Sequence, residues 1–185
     1  EEYVVGLRAD ISNDKPLIGP YGVNQEGSGD MYNKGANLIH MVRHIVGDST
    51  FKAMLLEMNR RFFHKTVTST EIEEFMINFN ERTKTLLNKS IFDQYLRTVQ
   101  IPVLEYAVKK NQLWVRWTNC SAGFHMPVNL AINEETGKGM VGTDWIRLYG
   151  TSNNATVPLV DRNWYVTSKK ADKDAQRSIP KTLLK

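Results

Sequence analysis

The sequence has 185 residues, 41% of them hydrophobic and 24% charged, with a single cysteine. This excludes wholesale disorder and an intramolecular disulfide framework, and no apolar run reaches the roughly 20 residues of a helical membrane span. The net charge of +4 resides in residues 169–185, which hold six Lys or Arg against two Asp, so the balanced remainder gives no clustered basic face for nucleic acid and residues 171–185 read as a polar basic tail.

The chain opens Glu1-Glu2-Tyr3, without a methionine or a basic-then-apolar leader, and reads as a piece of a longer protein or as a chain whose leader has been removed. Residues 1–10 read as a short helix or the end of one. Residues 11–29 are rich in Gly, Pro and Asn and read as a loop. A helix is expected from about Asp30 to Val46, with a stripe of Leu38, Ile39, Val42, Ile45 and Val46 and with Gly47 placed to end it. Asp48 or Ser49 can cap a second helix carrying Phe51, Met54, Leu55, Met58 and Phe62. A third begins near Thr68, where Thr68–Glu71 and Thr70–Glu73 both have capping-box spacing. A short fourth covers about Ser90 to Arg97.

Near residue 99 the hydrophobic period changes from helical to about two. Leu104, Tyr106 and Val108 alternate, as do Leu113, Val115 and Trp117, which predicts a hairpin with one apolar face. Further strands are expected at 126–133, 143–149, 156–160 and 163–168. The fold class is therefore α+β: a helical part, residues 1–98, followed by a small antiparallel β-sandwich, residues 99–170.

Candidate chemistry is sparse. His40 and His44 stand at i and i+4, a spacing that can serve one metal ion, but Met41 follows His40 where the His-Glu-x-x-His motif has its general base. Two histidines on the edge of a packed helix account for the spacing better. Cys120 has no His-Asn or His-Asp signature beside it and reads as a small buried or incidental cysteine. No nucleophile elbow or phosphate-binding glycine loop is present. Asn119-Cys120-Ser121 and Asn154-Ala155-Thr156 fit glycosylation triplets, which are common by chance.

The segment Asp30-Met31-Tyr32-Asn33-Lys34-Gly35-Ala36 places a tyrosine where a loop meets a helix, from which its phenol can donate to a developing oxyanion. A packing role for the same tyrosine needs no such assumption. Gly35 lowers helix stability by about 1 kcal/mol relative to Ala and predicts a close backbone approach. Asp30 is placed to orient Tyr32, and Lys34 to serve packing or charge pairing.

Tyr32-Asn33-Lys34-Gly35-Ala36 and the helix through Gly47-Asp48 resemble the Tyr-x-Lys-Gly-Ala helix of the zinc aminopeptidases of the aminopeptidase N and leukotriene A4 hydrolase type, the gluzincins. Thr68-Ser69-Thr70-Glu71 is similar to a capped helix of that family, Phe92-Asp93-Gln94-Tyr95-Leu96 to its Phe-Asp-Gln-Trp-Leu, and Ile101-Pro102-Val103-Leu104 to its entry into a β domain. The resemblance spans about residues 20–168. It implies the C-terminal part of an enzyme that hydrolyses N-terminal residues from peptides, with Tyr32 as the catalytic donor to the tetrahedral oxyanion. The zinc motif and the glutamate base have no counterpart here. Zinc is thus expected in a full-length parent and none in this chain, which alone should be inactive. Peptide substrates and the missing N-terminal part of the catalytic domain are the implied partners. An exposed apolar surface on helices 30–46 and 51–63, with self-association through it, is also expected. The alternative is a non-catalytic peptide- or protein-binding module of similar build.

Overall fold

Gly47 divides the first amphipathic stretch into two helices. Its φ of +86° carries no Cβ strain; its N–H donates to the Arg43 carbonyl at 2.8 Å, and its carbonyl accepts from Phe51 N–H at 2.9 Å. The computed structural model describes residues 2–110, 112–132, 135–150 and 159–180. Asn154, residues 156–158 of the strand expected at 156–160, and tail residues 181–185 lie outside them. The described chain is α+β and divides into two compact units, residues 1–99 with 163–165, and residues 100–162 with 166–185.

In the helical unit, α1 (Glu2–Gly6) runs into a 3-10 turn, Leu7–Asp10. After the loop comes a second 3-10 turn, Gly29–Met31, and then α2 (Asn33–Val46) and α3 (Asp48–Phe62). The expected helix start at Asp30 is thus three residues early, because Asp30 belongs to the tighter turn. α4 (Ser69–Ile77) begins with the Thr68–Glu71 capping box, in which Thr68 N–H donates to the Glu71 carboxylate at 2.8 Å. The second expected box is absent. Glu73 is instead buried and accepts both Arg97 guanidinium nitrogens, at 2.8 and 3.1 Å. α5 (Glu81–Leu86) was not expected from periodicity; a reciprocal Asn80–Thr83 cap starts it. α6 (Lys89–Arg97) closes the unit's helical run. The core gathers Leu38, Met41, Val42, Met54, Phe75, Met76, Ile91, Phe92 and Tyr95.

The second unit holds two sheets. β1 (Val103–Lys109) and β2 (Gln112–Thr118) form the expected hairpin, with Leu104 opposite Trp117 and Tyr106 opposite Val115. Lys110, at φ +51°, fits the tight turn between them. With β5 (Ile146–Gly150) and β7 (Thr167–Lys170) they make a sheet of order β5-β2-β1-β7. β3 (Met126–Ile132), β4 (Glu135–Val141) and β6 (Leu159–Val160) make the other, of order β4-β3-β6.

Four expectations need correction here. The sheets are not wholly antiparallel, since β7 runs parallel to β1. Residues 162–165 form a turn and bends, and the strand starts at Thr167; Asn163–Tyr165 pack in the helical unit instead. The hairpin has two buried faces. Ala107 and Trp114 lie on the face opposite Leu104 and Val115, clustered with Trp145, Ala171 and Ile179. Residues 171–180 are therefore not a solvated tail. Asp172 caps a short helix, α7 (Lys173–Arg177), Ala171 N–H donates to the Tyr106 carbonyl at 2.8 Å, and Ser178 Oγ accepts from Trp145 Nε1 at 2.9 Å. Ala171 and Ile179, with the partly buried Ala175, anchor the segment among its charges, so composition hides it.

Candidate functional site

Tyr32 stands between the 3-10 turn and α2, where the backbone is already helical at φ −75° and ψ −61°. Its carbonyl accepts from Ala36 N–H at 2.9 Å, so the residue is held by the helix it precedes. The side chain is 73% exposed, and among the described residues its phenol has no hydrogen-bond partner. The side chain therefore contributes little to the packing of the helical unit.

The turn beneath it is built from buried polar groups. Asp30 is buried, and its two carboxylate oxygens accept from Ser12 N–H at 3.0 Å and Asn13 N–H at 2.6 Å. Its own N–H donates to Ser28 Oγ at 3.1 Å, and that hydroxyl donates to Asp14 at 2.5 Å, a bond that holds the Asp14 carboxyl below its usual range. Asp30 is thus occupied in fixing the loop and makes no bond to the Tyr32 phenol. It orders the turn from which Tyr32 projects.

Lys34 is wholly buried, and its ammonium donates to the Thr98 carbonyl at 2.9 Å. Burial pushes its pKa down, and the Asp30 charge opposes that shift. One turn on, Asn37 accepts from Arg8 Nε at 2.6 Å and donates to the Val4 and Asn33 carbonyls, both at 2.9 Å. Arg8 lies over the Tyr165 ring, 5.3 Å from its centroid, and the Tyr165 hydroxyl accepts from Asn13 Nδ2 at 3.1 Å. Burial raises the Tyr165 pKa. These residues tie the start of α2 to α1, to the loop and to residues 163–165. The sequence pattern singled out none of Arg8, Asn13, Asn37 or Tyr165, since each is polar or lies far along the chain from its partners.

The close approach expected at Gly35 is absent: a Cβ added there meets nothing within 4 Å. The close approach is at Gly27 instead, where a Cβ would run into the Leu17 carbonyl.

His40 is buried, with Nε2 3.0 Å from Asn163 Oδ1, and its ring meets His44 edge-on at a centroid distance of 4.5 Å. Among the described residues no three His, Cys, Asp or Glu side chains gather as a metal site. Cys120 is half-buried, and desolvation raises its thiol pKa, which disfavours the reactive thiolate. No described helix is long and apolar enough to cross a membrane.

Compared with known proteins, the sequence matches no family model and no curated protein.

Proposed function

We propose that this chain is the C-terminal part of a zinc-dependent aminopeptidase of the gluzincin type and that Tyr32 is its transition-state donor. The observation that carries this reading is the Tyr32 phenol, exposed and without a hydrogen-bond partner among the described residues, at the head of α2 and above a turn that buried groups hold in place. A donor of this kind must be fixed in place yet keep its O–H free for the substrate oxyanion. The metal and the general base of this reading belong to residues outside this sequence, and peptides are its substrates.

The test is Tyr32→Phe in the full-length protein, assayed on a fluorogenic aminoacyl amide. Loss of the phenolic donor lowers kcat by roughly 10²–10³ and leaves KM close to its original value. An unchanged kcat removes Tyr32 from the role. A gene that lacks a His-Glu-x-x-His motif upstream of Glu1 removes the aminopeptidase reading itself.

A further inference from the structure

The face shared by α3 and α4 carries a groove that the helical unit's own packing does not fill. Its floor is aromatic: Phe62 meets Phe75 edge-on at a centroid distance of 5.6 Å, and Phe75 meets Phe79 at 5.9 Å. The hollow above it measures about 470 Å³, and a second of the same size, which also uses Phe62, is walled by Met58, Ile72 and Phe63. Of the α3 stripe only Phe51 and Met54 are buried, and Phe63 is 71% exposed. The second half of an amphipathic helix is therefore left open along the groove.

The rim is acidic. Glu57 from α3 and Glu74 from α4 both line the groove, and among the described residues neither makes an ion pair. Glu71, also on the rim, keeps its charge while serving the Thr68 cap, which holds its carboxyl below the usual range. The one cation among the described residues that line the groove, Arg61, is turned onto the rings, 5.8 Å from the Phe62 centroid and 5.6 Å from that of Phe75, rather than onto a carboxylate. An aromatic floor between unpaired carboxylates complements a ligand with apolar side chains on one face and Lys or Arg beside them.

We infer that the α3–α4 groove is a docking surface for a basic, amphipathic helical segment of a partner protein, seated on Phe62 and Phe63 and paired with Glu57 and Glu74. This holds whether or not the chain belongs to an aminopeptidase.

The 185-residue chain is titrated, by fluorescence anisotropy at low salt, with a labelled Leu/Lys amphipathic peptide of about 15 residues and with the same peptide carrying Glu for Lys. The basic peptide binds with a Kd in roughly the micromolar range, weakening as salt rises, and the acidic peptide does not. Phe62→Ala and the double variant E57K/E74K each weaken binding by about tenfold or more. Phe62 is half-buried, so Phe63→Ser, at an exposed position that leaves the fold intact, gives the apolar arm of the test a second variant. Failure of the basic peptide to bind, equal binding of the acidic peptide, or affinity unmoved by both E57K/E74K and Phe63→Ser overturns the inference.

Discussion

The ammonium of Lys34 and the carbonyl of Thr98 meet at 2.9 Å across 64 residues of sequence, joining the first turn of α2 to the end of the helical run. A buried lysine loses hydration, and here one carbonyl and the nearby Asp30 charge offset that loss.

Lys34→Ala removes the stem and leaves the Thr98 carbonyl unpaired, which lowers stability by about 2–4 kcal/mol. Lys34→Met keeps most of the volume and loses less. The pH dependence separates the charge from the stem. The folded lysine releases its proton below the unfolded value near 10.5, so between the two values the unfolded state binds more protons and the wild-type chain gains stability as pH rises. Denaturant melts at several pH values up to about 10 show this gain in wild type minus Lys34→Met. A flat difference refutes it.

Gly35 and Gly27, on either side of Tyr32 in the sequence, respond in opposite directions. Gly35→Ala meets open space in a helix and raises stability by about 0.5–1 kcal/mol. Gly27→Ala drives a methyl group into the Leu17 backbone and lowers stability by about 1–3 kcal/mol. Thermal melts of the two variants side by side decide the matter, and a Gly27→Ala chain as stable as wild type contradicts the close approach.

Ile179 is the deepest apolar anchor of the chain's last described segment, clustered with Trp114 and Trp145. Ile179→Ala lowers stability by about 2–4 kcal/mol and increases the solvent exposure of tryptophan. A red-shifted tryptophan emission and a lower denaturation midpoint are the expected readings. Neither would change if residues 171–180 were a solvated tail.

Legibility followed the strength of the local signal. The Thr68–Glu71 box and the break at Gly47 were readable because each is a short-range pattern with one geometric outcome. The β1–β2 hairpin was readable from its alternation, but its second buried face was not, since the cover comes from Ala171 and Ile179, more than fifty residues away. α5 escaped because six residues are too few for a period, and its Asn80–Thr83 cap lacks the acidic partner of the commoner pattern. β4 escaped because Gly137 and Gly139 interrupt its alternation. At the candidate site, a tyrosine at a helix entrance was legible, whereas its exposure and the polar network under it depend on Arg8, Asn13 and Tyr165 meeting in space.

The placement of Asn163–Tyr165 in the helical unit has a consequence for vectorial synthesis. Tyr95 Oη donates to the Tyr165 carbonyl at 2.7 Å, so the helical unit stays incomplete until a segment some seventy residues downstream has left the ribosome. The other unit waits longer still, because β7 and Ile179 lie further downstream. Neither unit is finished in the order in which it is made. Both close almost together, once residues 163–179 have emerged, and until then the nascent chain presents Tyr95 and Trp114 to whatever shields unfinished polypeptides.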